Sequence, residues 1–293
     1  MRKTILLFIF STVFSVGFSQ SVSFRRAFEI GVMGGGSYYI GDLNQTHFKY
    51  SKPAFGVIAR YNLSTRHSLR FTATYGNVLG EDSKSNNTYL VNRNLVFHSS
   101  IIEVAMGFEI DLIKYRINDM KYPISPYFFY ELAYFRMNPK APNPNGGEDI
   151  ALQEIGTEGQ GTVLNTKKQY GLNQFSVPLG IGLKFNIKKR IAVSFEYGIR
   201  KTFTDYLDDV SGKYANPYAL SDLKGPLAAQ LADPSFNGQS YHTTGLDRGN
   251  ANTKDWYVMY GAMLTIKPWN VTVCQQQGAG KGKKSMRRRR KSR

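Results

Sequence analysis

The pattern that decides the fold lies in residues 175–200, which read FSVPLGIGLKFNIKKRIAVSFEYGIR. In its first half, apolar residues occupy every odd position from Phe175 to Ile187, and small or polar residues occupy the even positions between them. The same alternation continues from Ile191 to Arg200. Because successive side chains of a strand point to opposite faces, a period of two predicts two β-strands joined by the short connection 188–190.

Six further segments alternate in the same way, which gives eight predicted strands: 27–41, 53–63, 68–79, 95–113, 125–137, 175–187, 191–200 and 255–267. Short connections (64–67, 114–124, 188–190) alternate strictly with long ones (42–52, 80–94, 138–173, 201–254). Outer-membrane barrels have this order, with short periplasmic turns and longer external loops. The sequence therefore predicts an all-β fold: an eight-stranded antiparallel transmembrane β-barrel of the outer-membrane type, with long external loops and both termini in the periplasm.

A soluble β-sandwich is the competing interpretation, because its strands also alternate. In a sandwich the second face of each strand meets water and is rich in Lys, Thr, Ser and Glu, whereas here that face is rich in Gly and Ala with isolated charges. Such a face suits a narrow lumen. Aromatic residues near the predicted strand ends are expected to form interfacial girdles: Tyr38, Tyr39, Tyr61, Tyr75, Tyr127, Tyr134, Tyr197, Phe203, Trp256 and Trp269.

Charged residues on the predicted inward face occur in similar numbers of each sign. An eight-stranded barrel is just wide enough for its own side chains, and unpaired charges in its interior would be costly. We therefore expect a mutually neutralising network that plugs the lumen, so that the protein is not an open channel. Its predicted members are Glu29, Arg60, Arg70, Glu103, Glu109, Glu131, Lys184, Glu196 and Arg200.

The first residues predict export. Arg2 and Lys3 precede an apolar stretch, and Gly17-Phe18-Ser19 provides a small-residue cleavage site before Gln20. We predict a signal peptide at 1–19, the barrel at 20–270 and a basic, disordered periplasmic tail at 271–293. No later segment has the roughly 18 consecutive apolar residues of a transmembrane helix, and the single cysteine, Cys274, excludes an internal disulfide framework.

The formal net charge of +17 is concentrated at the two ends of the chain. Nine basic residues lie between Lys281 and Arg293 and two in the signal peptide, which leaves 17 − 9 − 2 = +6 for the body. A basic tail suggests a polyanion partner. Because the chain is exported, we expect anionic outer-membrane lipid, peptidoglycan-associated material or an acidic protein surface, and no nucleic acid. The sequence leaves open whether the tail docks a partner or only aids solubility.

No motif predicts a catalytic site, a cofactor or a metal. The four histidines have no metal-ligand spacing, and no Gly-x-Ser-x-Gly elbow is present. Asp205, Asp208 and Asp209 fit no EF-hand loop, so a structural or solvated acidic turn is favoured over a cation site. The stretch 156–161 lacks the Lys-Ser/Thr of a phosphate-binding loop.

Four segments give the sequence a specific resemblance. They are Tyr39-Ile40-Gly41-Asp42-Leu43-Asn44, Asn138-Pro139-Lys140-Ala141, Gly156-Thr157-Glu158-Gly159-Gln160-Gly161, and Thr202-Phe203-Thr204-Asp205-Tyr206-Leu207-Asp208-Asp209-Val210-Ser211. Together they resemble the PorG family of Bacteroidota, outer-membrane barrels of the type IX secretion system, over roughly residues 27–267. The basic tail has no counterpart in this resemblance.

The resemblance implies a non-enzymatic component that ties a periplasmic ring, made of the PorK lipoprotein and PorN, to the outer membrane. We expect the ring to contact the basic periplasmic turns, through Arg66, Lys114, Arg116, Lys121, Lys188, Lys189 and Arg190. The alternative is an outer-membrane enzyme or a small-ligand-binding barrel that uses the external loops. An enzyme would need polar groups that converge on one point, whereas an anchor needs only an exposed complementary surface.

Overall fold

Residues 27–117, 121–188, 190–235 and 244–268 are described by a computed structural model of the chain. The predicted signal peptide, the predicted tail, Lys189, Trp269 and His242 lie outside these described residues. Within them, no helix has the length and hydropathy needed to cross a membrane.

Eight long strands form the body of the molecule. They are β1 (Ala27–Ile40), β2 (Lys52–Asn62), β3 (His67–Glu81), β4 (Val96–Asp111), β5 (Ile124–Arg136), β8 (Asn173–Lys188), β9 (Ile191–Thr202) and β10 (Trp256–Ile266). Two short strands, β6 (Lys140–Ala141) and β7 (Ile150–Ala151), lie in the connection between β5 and β8. Each of the eight long strands coincides with a predicted one, to within two residues at every end.

The eight long strands close into a ring. Each pairs antiparallel with its neighbours in the order β3-β2-β1-β10-β9-β8-β5-β4, and β3 pairs with β4 to complete the circle. First and last strands meet through eleven paired residues, from Ile30 opposite Ile266 to Ile40 opposite Trp256. The predicted fold, an eight-stranded antiparallel β-barrel of the outer-membrane type, is confirmed, and the sandwich alternative is excluded because the sheet is a single closed ring.

Strand alternation separates an apolar exterior from a polar interior. Every second residue of β3, from Ser68 to Gly80, is buried, while Phe71 and Tyr75 on the other face are exposed. Large apolar side chains around the exterior remain more than half exposed: Val32, Phe55, Ile102, Leu132, Ile181 and Phe195. A continuous apolar belt of this kind is unfavourable in water, whereas lipid matches it.

Inward-facing glycines make room for inward-facing aromatic rings. A Cβ added at Gly180 or Gly182 would collide with the rings of Phe129 and Tyr127 respectively. Because the lumen of an eight-stranded barrel is narrow, a large side chain on one strand requires a small one opposite it.

The two ends of the barrel differ. One end, which we call the turn face, carries the described parts of the short connections (63–66, 112–117, 121–123 and 190) together with the start of β1 and the end of β10. At the other end, the connections 41–51, 82–95 and 137–172 and the described parts of the connection 203–255 (203–235 and 244–255) fold together into what we call the loop cap. The sequence alone does not say whether these long connections are ordered. In the structure their described residues form short helices, short strands and turns.

Short helices in the loop cap are α1 (Thr88–Arg93), α2 (Leu152–Ile155), α3 (Pro217–Lys224) and α4 (Pro226–Ala232), with a 3-10 turn at Asp82–Lys84. Asn216 caps α3 by accepting hydrogen bonds from the backbone N–H groups of Tyr218 and Ala219, and Pro217 occupies the first turn. A buried apolar layer joins cap and barrel, and it includes Tyr39, Phe97, Phe135, Leu207, Val210 and Tyr257.

Candidate functional site

Glu109 is a central carboxylate of the lumen. Arg60 Nε lies 2.9 Å and Arg70 Nη1 3.2 Å from its Oε2, and Lys184 Nζ contacts its Oε1. Lys184 also lies 3.0 Å from Oδ1 of Asp111. These residues come from β2, β3, β4 and β8, so one buried carboxylate connects strands on different sides of the barrel.

Arg70 is the corresponding central cation. Its guanidinium donates to both carboxylate oxygens of Glu196, at 2.9 and 3.0 Å, and its Nε lies 3.1 Å from Oε1 of Glu131. The guanidinium carbon lies 4.0 Å from the centroid of the Phe129 ring. Tyr127 donates to Glu196 at 2.9 Å. Planar ion pairs and ring contacts of this kind match the geometry of Arg and not that of Lys.

A second carboxylate lies nearer the loop cap. Glu103 accepts hydrogen bonds from Tyr257 at 2.6 Å and from Thr74 at 3.1 Å, and Arg200 Nε lies 3.5 Å away. At the opposite end of the lumen, Asn62 donates to Glu29 at 2.6 Å.

All nine residues predicted for the lumen network are buried, and eight of them take part in the ion pairs above; Glu29 is held by an amide instead. Asp111 is a further member that the sequence did not predict, although it lies two residues after Glu109 and therefore on the same face of β4. The sequence also predicts Tyr39 and Tyr127 in an exterior girdle. That assignment is wrong: both are buried inside the barrel, because their parity along β1 and β5 places them on the inward face.

The outward-facing residues of the predicted girdle differ in their exposure. Tyr75, Tyr134 and Phe203 are exposed on the outer surface. Tyr38, also outward by parity, is fully buried because the loop after β1 folds back over it: Phe48 packs against its ring at 5.3 Å, and its hydroxyl lies 2.6 Å from that of Tyr197.

Tyr39 attaches the loop cap to the barrel. Its hydroxyl, at the end of β1, lies 2.5 Å from Oδ2 of Asp208 and 3.1 Å from Oδ1 of Asp255. The remaining oxygens of these carboxylates accept from the backbone N–H groups of Val210 and Leu207. Both acids belong to the connection 203–255, so the hydroxyl fixes the two ends of that loop over the lumen.

Segments 156–161 and 202–211, which carried part of the sequence resemblance, pack against each other in the loop cap. Thr157 donates to Asp209 at 2.5 Å, and Glu158 Oε1 accepts from the N–H groups of Ser211 and Gly212, both at 2.9 Å. Arg248 Nη1 lies 3.4 Å from Glu158 and donates to the backbone carbonyl of Asp209 at 2.6 Å. The glycine-rich stretch thus serves internal packing.

Arg93, at the end of α1, holds three loops together. It makes two hydrogen bonds to Asp82, at 2.6 and 2.8 Å, and donates to the carbonyls of Arg248 at 2.7 Å and Asp42 at 3.1 Å. The sequence alone did not predict a role for Arg93, Arg248 or Glu158. Their partners are distant in the chain, and no periodic pattern marks them.

Burial perturbs the acids of the cap. It raises the pKa of Asp209 to about 6, although the neighbouring Arg248 favours the charged form. Burial, and then the negative charge of Asp255, raise the pKa of Asp208 well above its ordinary value. The pKa of Asp255 is likewise raised well above its ordinary value, chiefly by burial. These acids form a structural turn and are not solvated; no cluster of three metal-binding side chains occurs in the part of the chain that the structure describes.

The turn face is basic. Arg66, Lys114, Lys121, Lys188 and Arg190 are exposed there, Arg116 is half-buried, and Lys189 is not among the described residues. Against these seven cations the three turns contain a single acid, Asp119, which also lies outside the described residues. The described members of the predicted contact set therefore lie at one end of the barrel.

Comparisons with known proteins return one family model of unknown function and a set of similar solved structures. A domain of unknown function, DUF6089, matches residues 4–146, and no curated protein matches the chain. The chain is similar to the solved structure of Neisserial surface protein A (10% identity, TM-score 0.40, covering 82% of this chain and 96% of that one). It is also similar to Ail, the attachment invasion locus protein of Yersinia pestis, in complex with the heparin analogue sucrose octasulfate (12% identity, TM-score 0.38, covering 83% of this chain and 100% of that one). A third similar structure is the outer membrane protein OprG from Pseudomonas aeruginosa (10% identity, TM-score 0.35, covering 83% of this chain and 98% of that one).

Proposed function

We propose that this protein is a non-enzymatic outer-membrane component of the type IX secretion system, which anchors the periplasmic ring of PorK and PorN to the outer membrane. The observation that carries the proposal is the combination of a lumen crossed by buried ion pairs with a basic turn face at one end of the barrel.

The apolar exterior supports a position in a bilayer, because large side chains such as Ile181 (66% exposed) are left largely uncovered by the described chain and match lipid. In bacterial outer-membrane barrels the short turns face the periplasm. On that rule the turn face, the start of β1 and the end of β10 are periplasmic, and the loop cap is external.

The filled lumen supports a scaffold role. Arg70 on β3 reaches Glu196 on β9, and Tyr257 on β10 reaches Glu103 on β4. These strands are not neighbours in the ring, so their side chains cross the interior. Passage of a solute would require several buried ion pairs to separate, which is energetically unfavourable.

The basic turn face supports an acidic periplasmic partner. Five exposed cations concentrated at one end attract an acidic surface and accelerate its association. The resemblance supplies the identity of that partner as the PorK and PorN ring. One observation supports the resemblance. The four segments that define it are distant in sequence, but all of them lie at the loop-cap end and form one folded unit there.

The test is charge reversal on the turn face. The triple variant Lys188→Glu, Lys189→Glu, Arg190→Glu should reduce recovery of PorK and PorN with the tagged barrel from native outer membranes by several-fold, as measured by quantitative mass spectrometry. Lys167→Glu with Lys168→Glu is the matched control, because these exposed lysines lie in the loop cap. If the triple variant folds and recovers as much ring protein as the wild type does, the anchoring proposal is wrong.

A further inference from the structure

A polar cleft of about 660 Å³ opens in the loop cap between the connections 41–51, 82–95 and 203–255. This size is in the range of small-ligand sites. The cleft belongs to neither the lumen network nor the turn face, and anchoring a periplasmic ring makes no use of it.

Side-chain amides and hydroxyls dominate the cleft lining. They belong to Asn44, Gln45, Thr46, Ser85, Asn86, Asn87, Tyr89 and Asn250. An amide offers two donors and an acceptor on one planar group, which matches the adjacent hydroxyls of a sugar ring. Gln45, Asn86 and Asn87 are exposed, whereas Asn44 is buried and uses its amide to hold its own loop through the carbonyls of Tyr39 and Thr46.

Tyr89 supplies an aromatic surface at the cleft. It is 42% exposed, its backbone N–H donates to the side chain of Asn87, the N-cap of α1, and its hydroxyl lies 3.4 Å from the backbone carbonyl of Asp247. A tyrosine ring combines an apolar face, which can cover the C–H face of a sugar, with a polar hydroxyl.

The charges of the cleft disfavour an anionic ligand. Arg93 is neutralised by Asp82, and Arg248 by Glu158 and Asp209. The remaining charged lining residues are Asp42, Asp247 and Lys49, and the ammonium of Lys49 already donates to the backbone carbonyl of Lys84 at 2.8 Å. The described lining therefore offers no cluster of free cations for a phosphate or a sulfate. A hydroxyl-rich, uncharged ligand fits this balance best.

The floor of the cleft is fixed before any ligand binds. Arg93 holds the carbonyls of Asp42 and Arg248, and the N–H of Asn250 donates to Oδ2 of Asp42 at 2.9 Å. All three walls are therefore tied to one another, which reduces the ordering cost of binding. We infer that this cleft, formed by the amide side chains and Tyr89, binds a neutral saccharide.

The inference is tested with purified protein in a detergent that contains no sugar. Two probes separate the sources of such a ligand: a panel of neutral gluco-, manno- and galacto-oligosaccharides, and the neutral oligosaccharide fraction, free of phosphate and acidic sugars, that is released from lipopolysaccharide of the cells in which the protein is made. Ligand-observed NMR should detect binding of at least one probe in the millimolar range or tighter, and Tyr89→Ala should weaken that binding at least tenfold.

Tyr218→Ala is the matched control, because Tyr218 is 83% exposed on the same cap but outside the cleft. A double variant, Gln45→Ala with Asn86→Ala, keeps the test valid if Tyr89→Ala misfolds, because both side chains are exposed. Absence of binding to both probes would overturn the inference, as would cleft variants that bind as well as the control. Copurification with ring proteins should be unchanged in Tyr89→Ala, so this inference and the anchoring proposal fail separately.

Discussion

Arg70 and Glu196 meet across the lumen in a bidentate ion pair, with Nη1 2.9 Å from Oε2 and Nη2 3.0 Å from Oε1. They belong to β3 and β9, which are not adjacent in the sheet. Since the same guanidinium also contacts Glu109 and Glu131, its removal would leave three buried carboxylates without their shared cation. The network is therefore expected to tolerate loss of an acid better than loss of this arginine.

Arg70→Leu should destabilise the barrel by about 3–5 kcal/mol, the range found when one partner of a buried ion pair is removed. Glu196→Gln should cost less, because the amide still accepts from Arg70 and Tyr127 and two other carboxylates remain near the cation. Urea unfolding in detergent, followed by tryptophan fluorescence, measures both. The control is Arg136→Leu, since that arginine is exposed on the exterior. Equal stability of Arg70→Leu and wild type would refute the structural role of the network.

Alternation along single strands predicted the barrel and its lumen charges, because which face a residue occupies is a local property of a strand. Glu103 and Arg200, for example, could be assigned to the interior from parity alone. Tyr39 and Tyr127 are predicted outward because aromatic residues near strand ends usually form girdles. Their odd-numbered positions in β1 and β5, which face the lumen, indicate the correct side.

The loop cap could not be predicted, because its contacts are not local. Tyr39 binds Asp208 from 169 positions away, and Arg93 binds the carbonyl of Arg248 from 155 positions away. No pattern in the intervening sequence specifies such a pairing. For the same reason the amide-rich cleft, assembled from three loops, has no signature in any one of them.

Tyr39→Phe should loosen the loop cap while leaving the barrel intact. The ring would remain in the apolar layer, but Asp208 and Asp255 would lose the hydroxyl that lies between them, at a cost of about 1–3 kcal/mol for buried groups left unsatisfied. Trypsin should therefore cleave within 203–255 faster than in wild type. Tyr75→Phe, at an exposed exterior position, should match wild type. Unchanged cleavage in Tyr39→Phe would mean that the hydroxyl does not secure the loop.

Gly182→Val should impair folding, because a side chain there would overlap the ring of the inward-facing Tyr127. The variant should give a lower yield of folded barrel, measured as the fraction with shifted mobility in unheated gel samples. Adding Tyr127→Ala should restore part of that yield by vacating the space, even though it removes the hydrogen bond to Glu196. If the double variant folds no better than Gly182→Val alone, steric conflict with Tyr127 is not the cause.

Asp209 should make the loop cap less stable as pH rises through the acidic range. Burial raises its pKa to about 6 in the folded cap, against about 4 in the unfolded chain. Between these values the folded cap keeps the proton and the unfolded chain has lost it, so increasing pH favours unfolding and the loss is complete above the folded pKa.

Asp209→Asn isolates this contribution, because the amide does not titrate and asparagine tolerates the backbone φ of 65° at this position. The urea midpoint of cap opening, followed by pulse proteolysis, should fall between pH 4 and pH 6 more steeply in wild type than in the variant. Asp208 and Asp255, with pKa values raised well above the ordinary range, remain in both proteins and act with the same sign from the unfolded-state pKa upward. Their contribution therefore cancels in the difference between the two proteins. A difference that stays constant from pH 4 to pH 6 would show that Asp209 does not carry a proton in the folded cap.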